Sequence, residues 1–183
     1  MIGLLLALGL APASPNSCSL TAEDKAANAK LSWDDFDQKG TLPSTGRKLM
    51  ERGCFETAAD AWADYMINGP VAAPPEQRVM LWHLGQSLAS AGDEKSAARV
   101  MAATRRADAP PPQSGPLKWN EYVLGTWAFL TKDRALLERM RDSVLAGPGP
   151  GNRMNGNVLA AMTRCFDRPY AQVFEAPCKV EEK

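Results

Sequence analysis

Three glycines, Gly46, Gly85 and Gly125, punctuate this chain at intervals of 39 and 40 residues, each inside a similar apolar phrase. The phrases cover residues 42–49, 81–88 and 123–128, and Gly53 and Gly92 follow the first two glycines at the same distance of seven. Self-similarity at a period between about 20 and 50 residues marks an architecture of stacked units, each too small to bury its apolar face alone. The rest of the chain is read against that period.

Each unit reads as a helical hairpin. In the first, Ser44 or Thr45 caps a helix running to Arg52, and Gly53 supplies the left-handed residue that ends it. A second helix over 55–67 places Phe55, Ala58, Ala59, Trp62, Tyr65 and Met66 on one side at spacings of three and four, until Asn68-Gly69-Pro70 stops it. The second unit pairs helices over 75–92 and 93–107, with Asp93 as N-cap and Ala97, Val100, Met101 and Thr104 as the inner stripe. The third pairs 117–131 with 133–146, turning Leu136, Leu137, Met140, Val144 and Leu145 inward. A shorter last unit covers 154–166 and 170–175, broken at Asp167-Arg168-Pro169. Proline- and glycine-rich connectors at 69–75, 108–116 and Gly147-Pro148-Gly149-Pro150-Gly151 separate the units, and the turns inside them are short, as stacked hairpins require. No sustained period-two alternation occurs, so no sheet is expected. The expected fold is all-α: stacked helical hairpins forming an α-solenoid of about three and a half units over 42–176.

The ends read differently. Residues 2–10 are an apolar run followed by Ala11-Pro12-Ala13, the small-x-small pattern of a secretory cleavage site, though no basic residue precedes it. Nine residues are far short of the about 20 that cross a bilayer as a helix. Residues 1–13 are therefore read as a signal peptide, with periplasmic or secreted localisation and no stable membrane insertion after cleavage. A polar lead-in over 14–41 carries a short helix starting at Thr21, with Asp24 completing a partial capping box. Residues 177–183 are a polar tail.

Four cysteines, Cys18, Cys54, Cys165 and Cys178, agree with export. They allow three pairings. The favoured one joins Cys18 to Cys54 and Cys165 to Cys178, because each bridge ties a terminal segment to the nearest helical unit. With 21 acidic and 21 basic residues the chain lacks the positive charge of a nucleic-acid binder.

The landmarks resemble the tetratricopeptide repeat family. They fall on Leu42, Gly46, Leu49, Gly53, Phe55, Ala58, Trp62 and Pro70 in the first unit, and on Leu81, Leu84, Gly85, Leu88, Gly92, Ala97, Met101 and Pro110 in the second. In the third they fall on Leu124, Gly125, Ala128 and Leu137, with Lys132 where the turn glycine would be. The likeness spans 42 to about 147; the period exceeds the family's 34, and the leading tryptophan is missing from all three units. It implies a concave groove lined by the first helix of each hairpin and holding a protein or peptide partner. Carried onto this chain, the groove side takes Arg47, Met50, Trp82, Gln86, Trp119, Tyr122 and Thr126. Trp82 and Trp119 serve equally well as core.

Catalytic and metal chemistry finds little. His83 is the one histidine and reads as a partly buried, satisfied side chain. No CxxC occurs, so no metal site is expected. Asp34, Asp35 and Asp37 suggest a calcium loop, but Lys39 occupies a ligand position and the twelfth position is Gly46 rather than glutamate, which leaves a solvated acidic turn. Glu121 is the best candidate for paired-carboxylate chemistry, with nothing to set it apart from a surface glutamate. The prolines of residues 147–151 remove the N–H groups a phosphate cradle needs, and no cofactor is expected. The sequence thus reads as an exported, non-catalytic binding module. The alternatives are a small cell-wall-active hydrolase and a structural accessory domain whose groove is filled by its own N-terminal lead-in, with Trp33 and Phe36 inserted.

Overall fold

The computed structural model describes residues 18–106 and 117–178. The expected signal peptide, the whole 108–116 connector and the end of the polar tail lie outside these. Eight α-helices follow one another: α1 (Ala22–Asn28), α2 (Gly46–Glu51), α3 (Phe55–Asn68), α4 (Pro74–Ser90), α5 (Glu94–Ala102), α6 (Trp119–Leu130), α7 (Arg134–Leu145) and α8 (Pro150–Arg164). A π-helical turn, Asp34–Lys39, precedes α2, and a 3-10 turn, Tyr170–Gln172, follows α8. No strand occurs among the described residues. The fold is all-α.

From α2 onward each helix packs on the next, and α6 also reaches α8. One backbone device recurs along the helices. Gly53, Gly92 and Lys132 all adopt positive φ, at 77°, 95° and 62°. One residue on, the amides of Cys54, Asp93 and Asp133 donate to the carbonyls of Leu49, Leu88 and Ala128 at 2.9, 2.9 and 2.8 Å. Each is the same left-handed helix stop, satisfying a carbonyl that the helix end would leave unpaired. Asp93 and Asp133 then cap α5 and α7 by accepting from Ser96 N and Leu136 N, both at 3.0 Å.

Close approach explains the three spaced glycines. A Cβ on Gly46 would lie 2.5 Å from the Trp62 ring, and one on Gly85 would lie 2.5 Å from Met101 Cγ, 39 residues further along in both partners. Ala58, Ala97 and Leu137, on the second helices, are all fully buried.

Both expected ends are tied down. Thr21 caps α1 with a complete capping box: its hydroxyl accepts from Asp24 N at 3.1 Å and the Asp24 carboxylate accepts from Thr21 N at 3.0 Å. Disulfides join Cys18 to Cys54 and Cys165 to Cys178, with Cα separations of 5.3 and 5.6 Å. This is the favoured pairing of the three.

Two expectations need correction. The last connector is shorter than its composition suggests, because Pro150 and Gly151 already belong to α8. Proline suits the first helical position, where no amide partner is needed and φ is already correct. The acidic stretch is not a solvated turn throughout: Asp34 and Asp35 pair with Lys39 at the surface, at 2.6 and 3.4 Å, but Asp37 is fully buried. Its distant partners, Trp62 and His83, lie on α3 and α4.

The core divides in two. Phe36, Leu49, Ala58, Ala61, Trp62, Tyr65 and Met80 make an N-terminal cluster. Trp82, Met101, Val123, Phe129, Leu137, Leu159, Met162 and Tyr170 belong to a C-terminal one. The division runs through α4, which gives Met80 to one and Trp82 to the other.

Candidate functional site

The residues expected to line a groove sit on α2, α4 and α6, and the two ends of the chain cover them. At the N-terminal side the π-helical turn delivers Asp37. Its Oδ1 accepts from Trp62 Nε1 at 2.7 Å and lies 2.7 Å from His83 Nδ1, while Gln38 donates to the other oxygen. Burial alone would push this carboxyl up. The hydrogen bond and charge of His83, with the bonds from Trp62 and Gln38, outweigh burial and hold it below the usual carboxylate range. Arg47 Nε donates to the Asp37 carbonyl at 2.9 Å, so the guanidinium is engaged within the fold. Phe36 stacks on Tyr65 at 3.9 Å between centroids, and Trp33 and Met50 pack against the same cluster. Phe36 therefore inserts beside Trp62 and Tyr65, not beside Trp82 and Trp119.

At the other side Trp82, Trp119 and Tyr122 meet, with ring centroids 5.0, 5.1 and 6.1 Å apart. Trp82 and Tyr122 are each only 5% exposed, and Thr126 is fully buried with its hydroxyl donating to Tyr122 O at 3.1 Å. Trp119 Nε1 donates to Thr104 O at 2.8 Å. The C-terminal segment adds Tyr170, fully buried on a 3-10 turn that packs against α4. Burial pushes the phenols of Tyr122 and Tyr170 well up, so both stay neutral. The groove positions are therefore brought together as packing. Their aromatic rings turn onto one another, and what they leave open is taken by Asp37 from one end and Tyr170 from the other.

Tyr170 is held from several directions. Its amide donates to Glu94 Oε1 at 2.7 Å. Lys132, the left-handed turn residue, places its ammonium 3.8 Å from Glu94 Oε2, 4.4 Å from the Phe129 ring centroid, and within 3.4 and 3.5 Å of the Phe166 and Arg168 carbonyls. The Lys132 side chain thus joins this turn to Glu94 and to the Phe166 and Arg168 carbonyls.

An open cleft lies elsewhere, between the end of α5 and α6. Its apolar part measures about 260 Å³ and is lined by Ala102, Arg105, Val123, Leu124 and Trp127. It continues into a more polar depression of about 430 Å³ that shares Ala102, Arg105 and Leu124 and adds Arg106 and Asn120. Asn120 fixes this rim: its Oδ1 accepts from Arg106 N at 2.7 Å and its Nδ2 donates to Arg106 O at 2.9 Å. None of these residues was expected as a site. The adjacent Arg105-Arg106 pair is the one feature among them that the sequence itself displays, and two arginines are too small a signal alone.

Glu121, the sequence's candidate acid, lines neither part of the cleft. Among the described residues no three His, Cys, Asp or Glu side chains gather as metal ligands would, and no helix is long and apolar enough to cross a membrane. No protein-family model matches the chain, and neither a curated protein nor a solved structure matches it.

Proposed function

We propose that this chain is an exported, disulfide-braced helical-repeat protein, tetratricopeptide-like in its units, that binds a protein or peptide partner and performs no reaction of its own. The observation that carries the reading is the cleft at the α5–α6 junction, where Trp127 and two exposed arginines surround an apolar floor on a rigidly pinned rim. Tryptophan and arginine are the residues that most often dominate binding energy at protein interfaces. The partner site thus moves from the α2–α4–α6 face, taken by the chain's own ends, to the neighbouring junction. Two disulfides support periplasmic or secreted residence, since such bonds persist in oxidising compartments.

The hydrolase alternative draws less support. A general acid works best with its carboxyl raised toward neutrality, whereas Asp37 is held low and sealed from solvent. His83 Nδ1 pairs with that carboxylate, and no free cysteine remains to act as a nucleophile beside it. The structural-accessory reading has a specific observation in its favour: the segments carrying Asp37 and Tyr170 both pack onto the helix face.

The test is to produce the full chain in a bacterial host with benzoylphenylalanine at Leu124 or, as a control, at exposed Met154. Illumination should give a partner adduct from Leu124 only, and N-terminal sequencing of the periplasmic protein should begin at Ser14. Peptidoglycan clearing by the purified chain, or no partner adduct from Leu124 or from any other surface position, overturns the reading.

A further inference from the structure

We infer that the α5–α6 cleft takes an acidic peptide segment carrying one large apolar side chain; this rests on the binding reading above and specifies its partner. Arg105 and Arg106 are exposed, and no described carboxylate forms an ion pair with either guanidinium. No acidic side chain lines either part of the cleft. In a chain with 21 acidic and 21 basic residues, most of whose described salt bridges are local, a cationic rim over an apolar floor is a specific arrangement. Charge complementarity asks for carboxylates on the rim, and arginine forks hold carboxylates through paired charge-assisted bonds.

The floor sets the second requirement. Ala102, Val123, Leu124 and Trp127 line its apolar part, about 260 Å³, which the polar depression continues. That suits one bulky side chain with its backbone running over the rim. The rim is organised before any ligand arrives. Trp119 Nε1 and the Asn120 amide hold the Thr104 and Arg106 backbone onto α6, so placing the arginines costs little further ordering. Two arginines on a neutral chain are too few for a nucleic-acid backbone. An acidic peptide with an aromatic or leucine anchor matches both charge and volume.

The probe is a fluorescein-labelled twelve-residue peptide of aspartates and glutamates around one central phenylalanine, titrated with the full chain and read by anisotropy. Two control peptides replace the phenylalanine by serine, or every acid by lysine. Binding of the first peptide should exceed that of both controls at least tenfold and weaken as salt shortens the reach of exposed charges. The exposed double reversal Arg105→Glu/Arg106→Glu should lose at least tenfold and gain binding of the lysine peptide, with an unchanged circular dichroism spectrum. Trp127→Ala should lose a comparable factor, and Arg153→Glu on α8 should lose none. Equal binding of the lysine peptide, or no effect of the double reversal, overturns the inference. So does a benzoylphenylalanine adduct from Leu124 to residues 107–116 of the same chain or to a second copy. A partner adduct obtained from some other surface leaves the general binding reading standing while this inference falls; no adduct from any surface removes the general reading.

Discussion

The two halves of the core are assembled on different principles. The N-terminal half is built around a charge: Asp37, fully buried, gathers Trp62, His83 and Gln38 and fixes the π-helical turn against α3 and α4. The C-terminal half is built around rings and aliphatic chains, with Phe129, Phe166 and Tyr170 in edge contacts and Lys132 over the Phe129 face. Apolar packing is non-directional and degrades gradually, whereas a buried carboxylate depends on each donor, and losing one leaves the others unsatisfied. The first half should therefore be the more brittle, and the more sensitive to acid.

The largest expected effect removes that charge. Asp37→Ala leaves Trp62 Nε1 and His83 Nδ1 without their acceptor and should cost about 3–5 kcal/mol. Phe129→Ala is its counterpart in the other half, costing about 3–5 kcal/mol through lost burial and a cavity. Hydrogen exchange separates them: the first should expose α2 to α4 while α6 to α8 stay protected, and the second should do the reverse. Loss of protection in both halves together would make the two clusters one cooperative unit.

Next come the disulfides. Chain-entropy reasoning gives roughly 3.8 kcal/mol for the Cys18–Cys54 bridge, with its separation of 36, and roughly 3.0 for Cys165–Cys178, with 13. Chemical denaturation of the Cys18→Ser/Cys54→Ser and Cys165→Ser/Cys178→Ser variants should rank them in that order.

Acid is a finer instrument. Asp37 ionises more readily folded than unfolded, so its contribution is complete above its unfolded value of about 4 and is lost as pH falls through the lower folded value. Exchange protection of α3 and α4 should fall below about pH 4 before that of α7 and α8, and Asp37→Asn should remove most of that difference. Asp35 and Asp93 are also held low, but both are exposed and add little. The smallest effect is expected at Ser87. Its buried hydroxyl has no hydrogen-bond partner, so Ser87→Ala should leave stability within about 0.5 kcal/mol or raise it, as thermal denaturation would show.

What the sequence revealed follows a physical boundary. Local features were legible: the Thr21–Asp24 box, the Gly53 and Gly92 stops, and the Asp93 cap each involve residues within a few positions. The close approaches at Gly46 and Gly85 were marked by glycine recurring at a spacing of 39, with Trp62 and Met101 at matching positions. Asp37 was not. Nothing nearby separates it from Asp34 and Asp35, and its burial is decided by Trp62 and His83, separated from it by 25 and 46 positions. Tyr170 escaped for the same reason, since Glu94 lies 76 positions away. The groove was drawn from helix positions alone, which cannot say whether the chain's own ends will occupy the face they define. The cleft was missed because Arg105, just past the end of α5, and Trp127, on α6, are separated in sequence by a connector.

The pairing of the cysteines also decides how the molecule would respond to tension. Stretched between residues 18 and 178, the oxidised chain can pay out only the stretch from Cys54 to Cys165, about 110 residues or roughly 400 Å of contour at ~3.6 Å each. The π-helical turn and the 3-10 turn lie inside the two closed loops, where no pulling force reaches them along the chain. Force on the ends is therefore delivered straight into the hairpins, and the segments clasping them from either side are the last to feel it.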